Sequence, residues 1–168
     1  MVKNSISPFG PERDVFFMRQ ALKLARKALA CDEVPIGAIV VSPEGVVLGR
    51  GYNKVIGARS QTEHAEAVAI RRAGKKLGDW RLEGCWIYVT LQPCAMCINL
   101  IHLSRLSGVI YGAESPLFGY HLDKGAGLRV YKRDALATLG GVESSESVLL
   151  LKQFFKEKRR LRDERKKQ

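Results

Sequence analysis

Between Arg13 and Ala30 the apolar residues Val15, Met18, Leu22, Ala25 and Leu29 recur at helical spacing among charged neighbours, which predicts a first amphipathic helix. The period then changes. "IGAIVV" (36–41) and "GVVLGRGYN" (45–53) are β-branched runs separated by the turn-forming "SPEG", a hairpin pattern. "HAEAVAIRRAG" (64–74) has a helical apolar stripe that Gly74 is expected to close. "CWIYVTL" (85–91) reads as a strand from its aromatic and β-branched content. Pro93 then opens a helix through "CAMCINLIHLS", because proline is tolerated in a first helical turn. "GVIYGA" (108–113) is a further strand, and residues 114–128 are expected to form a long loop of a functional kind. From 141 a short extended stretch leads into a C-terminal helix at about 144–167, with Ser and Glu residues near 144–147 as its capping region. Strands alternating with helices imply an α/β layered sheet. Residues 1–168 read as one domain, without repeat or linker.

Composition narrows this picture. At 168 residues and 46% apolar content the chain can bury a core unaided, and no apolar run approaches the ~20 residues of a membrane span. "MVKNSISPFGPERD" has no apolar core of a signal peptide, and Glu12 and Asp14 do not suit a transit peptide. A cytoplasmic home without membrane attachment is the expectation. The formal net charge is +11, and it is uneven: from Lys152 onward nine Lys or Arg and three acids give +6. A basic body with a more basic tail suggests a polyanion such as RNA, or else a solvated helix end.

Four cysteines, Cys31, Cys85, Cys94 and Cys97, are too few for a disulfide scaffold. Cys94 and Cys97 stand three apart in a helix's first turn, where the helix dipole favours thiolates. They suit a redox pair or two ligands of a zinc site. Cys31 and Cys85 have no partner at ligand spacing. Catalytic zinc takes three protein ligands, and the chain has three histidines. His102 lies on the cysteine helix among apolar neighbours, and His121 lies in the long loop. His64 opens a helix and is followed two positions later by Glu66, a carboxylate that can take a proton from water and deliver it to a substrate. Positions i and i+2 do not share a helix face. His64 and Glu66 therefore reach one pocket only if it wraps around the helix start, so two strand-to-helix junctions must converge.

The combination H-x-E followed by P-C-x-x-C is the signature of zinc-dependent nucleobase deaminases. With "DEVPIGAIVV", "GRGYN", "HAEAVAI", "YVTLQPCAMC", "GVIYGA" and "ESVLLLKQFFKEKR", the chain resembles the bacterial-type tRNA-specific adenosine deaminases of the cytidine deaminase superfamily. The resemblance implies a three-layer α/β/α sandwich around a five-stranded mixed sheet, and hydrolytic conversion of adenosine to inosine at the wobble position of tRNA anticodons. It implies one zinc per chain on His64, Cys94 and Cys97, Glu66 as proton shuttle, Asn53 as a nucleoside contact, and a homodimer. Of Phe154 and Phe155, one is expected to pack on the core and the other, assigned to Phe155, to lie near the anticodon loop and stack on a base. Lys156, Lys158, Arg159 and Arg160 are the expected phosphate contacts. Gln92 and "SPLFGYHLDKGAGL" depart from the family's usual residues at those places. A guanine or other free nucleobase deaminase, and a non-catalytic zinc-containing RNA-binding subunit, are the alternatives.

Overall fold

The computed structural model describes residues 7–120 and 136–167. Five strands, β1 (Gly37–Val41), β2 (Val47–Tyr52), β3 (Trp86–Leu91), β4 (Gly108–Ala113) and β5 (Ala137–Leu139), form one sheet in the order β2-β1-β3-β4-β5. β1 runs antiparallel to both β2 and β3, whereas β3, β4 and β5 are mutually parallel. The sheet is therefore mixed, as expected.

Helices α1 (Pro11–Ala30) and α5 (Ser144–Arg165) cover one face, and α3 (Ala65–Leu77) and α4 (Ala95–Leu103) the other. Alternation along β1 and β3 divides the core accordingly. Ile39, Val41, Trp86 and Tyr88 pack with Phe17, Met18 and Leu22 of α1. Ala38, Val40, Ile87 and Val89 pack with Ala65, Ala69 and Ala73 of α3 and with Ile98 and Ile101 of α4. Both faces are covered, which explains why the central strands read as unbroken apolar runs. Across the α1 face, Arg19 pairs with Glu143 at 2.9 Å and Arg26 pairs with Glu146, linking the first and last helices.

Two glycines set the distance between α3 and the sheet. A Cβ at Gly49 or Gly51 would come within 2.0 Å of the Ala69 carbonyl oxygen or 2.1 Å of the Ala65 carbonyl oxygen. Only glycine admits such an approach. "GRG" on β2 and the small residues of "HAEAVA" are thus two sides of one contact, and it brings the start of α3 against the end of β2.

Several boundaries differ from the sequence reading. Gly74 lies inside α3, which ends instead at Gly78 in a left-handed conformation (φ 76°); Gly74 has no special backbone demand, and the αL cap belongs to the later glycine. Pro93 precedes α4, whose N-cap is Cys94. The extended stretch is 137–139, ahead of residue 141, and α5 is preceded by Glu143 in a left-handed turn with no side-chain cap. The connection from Asn53 to His64 holds a four-residue helix, α2 (Val55–Ala58), and a 3-10 turn (Gln61–Glu63) that the periodicity did not announce. Most of the long 114–128 loop, His121 included, lies outside the described residues.

Candidate active site

Two helix starts meet at one place. His64 is the N-cap of α3 and Cys94 the N-cap of α4. Both have extended backbones (ψ 149° and 172°), and neither helix has a side-chain cap. Each junction therefore turns uncapped backbone N–H groups and the positive end of a helix dipole toward the same point. His64 Nδ1 lies 3.7 Å from Cys94 Sγ and 3.4 Å from Cys97 Sγ, and the three ligand atoms lie within 4.8 Å of one another. Zinc–sulfur bonds of about 2.3 Å and zinc–nitrogen bonds of about 2.0–2.1 Å at tetrahedral angles require nitrogen–sulfur separations of about 3.5 Å. The donor set and its spacing fit one zinc, with one position left for a non-protein ligand.

The ionisation pattern follows from this crowding. A hydrogen bond from the Cys97 thiol, with help from His64, pulls Cys94 down to about 4. The reciprocal hydrogen bond to Cys94 and burial push Cys97 up. The contact with Cys94 raises His64. Binding of a dication to both sulfurs overrides this division, since a coordinating thiol is deprotonated outright. Glu66, in the first turn of α3, is 4% exposed. Burial, the largest influence on it, raises its carboxyl above the ordinary range, as suits a group that must accept and release a proton near neutral pH.

His64, Glu66 and Cys94 line a cavity of about 430 Å³ together with Asn53, Gln92 and Phe155, a volume typical of small-molecule sites. Its remaining walls include Ile36, Val55, Ile56, Leu91 and Leu151. Phe154 is buried and Phe155 is 46% exposed at the cavity. Leu117 and Phe118, which are 76% and 75% exposed, also line the cavity. His102 sits on α4 outside the metal group, and burial lowers its pKa. Cys31 is exposed and Cys85 buried, and neither joins the metal group.

Sequence reasoning missed Glu33. It is 3% exposed, and its carboxylate accepts from Ile56 N at 3.1 Å, Gly57 N at 2.6 Å and, more weakly, Asn53 Nδ2 at 3.4 Å. It thus caps the unannounced helix α2 and fixes the Asn53 amide at the cavity wall. An acid in the "DEVP" link between a helix and a strand has no periodicity to reveal it. Glu33→Gln turns a donor toward these N–H groups and is expected to destabilise the fold by about 1–3 kcal/mol. Thermal unfolding checks this, and an unchanged midpoint would rule out the clamp.

Residues 11–113 match the cytidine and deoxycytidylate deaminase zinc-binding region. The chain belongs to this deaminase family. The deaminase is 41% identical over 147 residues to the tRNA-specific adenosine deaminase of Agrobacterium fabrum, a match covering 85% of this chain and 94% of that relative. It is also 41% identical over 112 residues to the enzyme of that name from Streptococcus pyogenes serotype M18, covering 67% of this chain. The matched segment spans 65–70% of the length of the streptococcal relatives. A solved structure from a study of A-to-I editing by tRNA:A34 deaminases at the wobble position of transfer RNA superposes with a TM-score of 0.72 at 37% identity, covering 81% of the deaminase and 99% of that chain.

Proposed function

We propose that this deaminase hydrolyses adenosine to inosine at the wobble position of a tRNA anticodon stem-loop, and that residues 1–168 form one catalytic domain. The observation that carries the chemistry is the meeting of a three-ligand metal group and a buried carboxylate in one cavity. The substrate is supported by the identity shared with tRNA-specific adenosine deaminases. Zinc held by His64, Cys94 and Cys97 supplies the Lewis acidity that makes water a nucleophile near neutral pH. Glu66 takes one proton from the attacking water and delivers it to N1 of adenine as the new C6–O bond forms. It then takes the remaining hydroxyl proton and gives it to the amino group, which leaves as ammonia while the C6 carbonyl forms. Asn53, held by Glu33, contacts the nucleoside. Phe155, Leu117 and Phe118, exposed residues of the cavity lining, offer apolar surfaces to unstacked neighbouring bases.

The charge of +11 favours a polyanion over a free base such as guanine. A binding protein with a purely structural zinc has no use for a buried Glu66. No helix among the described residues is long and apolar enough to cross a membrane. A cytoplasmic homodimer accords with the tRNA substrate and the resemblance. Incubation with anticodon stem-loops, guanine and cytidine, scoring inosine, xanthine and uridine, tests the assignment. Xanthine or uridine as the sole product would refute it.

The basic half of α5 gives a separate test. Lys158 pairs with Asp32 at 2.6 Å, and Arg160 bridges Glu157 and Glu164. Lys156 and Arg159 are exposed and make no ion pair among the described residues. Exposed pairs of this kind hold their partners weakly, so Lys158 and Arg160 remain available to phosphate. Truncation after Glu157 is expected to weaken RNA binding and to flatten the log–log salt dependence by about 0.7–0.9 for each phosphate no longer neutralised. An unchanged slope would leave the tail as a solvated helix end.

A further inference from the structure

β2 is an edge strand, paired among the described residues with β1 alone, and cations gather along it from both flanking helices. On the α1 side, Arg50 reaches Gln20 at 3.5 Å, and Lys27 Nζ stands 5.1 Å from the centre of the Tyr52 ring. Lys54 Nζ stands 4.8 Å from the same ring. Lys23, exposed on α1, lies between Gln20 and Lys27 at helical spacing. From α3, Arg72 donates to the Arg50 carbonyl at 2.8 Å and Lys76 to the Val47 carbonyl at 3.0 Å. None of these cations forms an ion pair among the described residues. Glu63, which lies within the field of Lys54 and Arg72, is held by Arg71 at 2.8 Å.

A charged edge has a structural use, since it keeps one sheet from pairing with another. Its position here argues for more. β2 runs directly into Asn53, and Asn53 and Val55 line the catalytic cavity. From that end the strand's six residues extend about 20 Å, at ~3.3 Å per residue. The basic helix α5 packs against β3, β4 and α1, and its Phe155 lines the same cavity. Cations therefore approach the cavity from two separate elements. A nucleotide drawn out of a loop into a cavity leaves two arms of backbone outside it.

We propose that the edge of β2 binds the substrate RNA, with Lys23, Lys27 and Arg50 meeting backbone phosphates of the anticodon stem beyond the loop. The inference rests on the deaminase reading above and adds a second phosphate-binding surface to that of α5. Ammonium and guanidinium groups that no carboxylate engages are suited to phosphate oxygens. Contacts of this kind fix the position of the RNA without reading its sequence.

Edge protection and RNA binding are separated by the sign of the charge. The triple variant Lys23→Glu, Lys27→Glu, Arg50→Glu keeps the edge charged and repels phosphate. The measurement is kcat and KM for inosine formation on a full-length tRNA and on a minimal anticodon loop with a shortened stem. Zinc content and melting temperature are recorded on the same samples. On the full tRNA the variant is expected to raise KM about tenfold or more with kcat held, and on the shortened loop to stay within about twofold of the parent. The log–log salt dependence of tRNA binding is expected to flatten by about 0.7–0.9 for each phosphate no longer neutralised. The corresponding triple glutamine variant is expected to shift KM the same way by a smaller factor, and it carries the test if the glutamate variant does not fold. Parent-like KM and salt slope in a folded, zinc-loaded variant would overturn the proposal and leave these cations as an edge guard. An equal penalty on both substrates would also overturn it, because the effect would then not come from the stem. Inosine formation by the parent with either of those results rejects this inference alone. Absence of any inosine from the parent rejects the deaminase reading and the inference with it.

Discussion

Glu66→Ala is expected to retain zinc, fold and RNA affinity while losing deamination by about 10⁴-fold or more. General acid–base assistance by one group is typically worth about 10²–10⁴-fold, and a carboxylate used for both N1 and the departing amino group stands at the upper end of that range. The competing explanation is electrostatic. A carboxylate in the first turn of α3 also favours the helix start, by about 0.3–1 kcal/mol, and loss of that effect alone predicts a slightly less stable protein with near-normal turnover. Single-turnover inosine formation, with zinc measured on the same sample, distinguishes the two. Activity within tenfold of the parent at full occupancy would place the proton shuttle elsewhere.

Removal of a ligand is expected to be as severe and to differ in kind. Elemental analysis of the purified protein should give about one zinc per chain, because the described residues contain a single three-ligand group. Cys94→Ser, Cys97→Ser and His64→Ala are each expected to lose most of the zinc and, with it, turnover. Cys31→Ser and Cys85→Ser are expected to keep both, since neither thiol belongs to that group. Cys97 is the sharpest case. It is fully buried on α4, so the replacing hydroxyl cannot reach water from solvent, and a fall in stability should accompany the metal loss. Full zinc retention by Cys97→Ser would sink the ligand assignment.

Local sequence determined the parts of this protein whose physics is local. Val15, Met18, Leu22 and Leu29 repeat at a helix's own period, and "GAIVV" and "WIYVTL" have the β-branched and aromatic content of buried strands. Those elements follow from residues that are neighbours along the chain. The candidate site was partly legible for a related reason: the H-x-E and P-C-x-x-C spacings place reactive groups at two helix starts, and a helix start is itself a local feature. Tertiary structure decided what depends on residues far apart in sequence. The close approach of α3 to β2 needs Gly49 and Gly51 opposite Ala69 and Ala65, and neither segment alone specifies it. Glu33 carries no periodic signal. Its role follows only from folding, which buries it against backbone N–H groups 23 and 24 residues away. β5, three residues long, is held as a strand by its pairing with β4, since so short a segment has too little intrinsic preference to declare itself. A buried polar group must find its partner wherever folding brings one, and that meeting is a property of the packed chain, with no trace in the residues on either side.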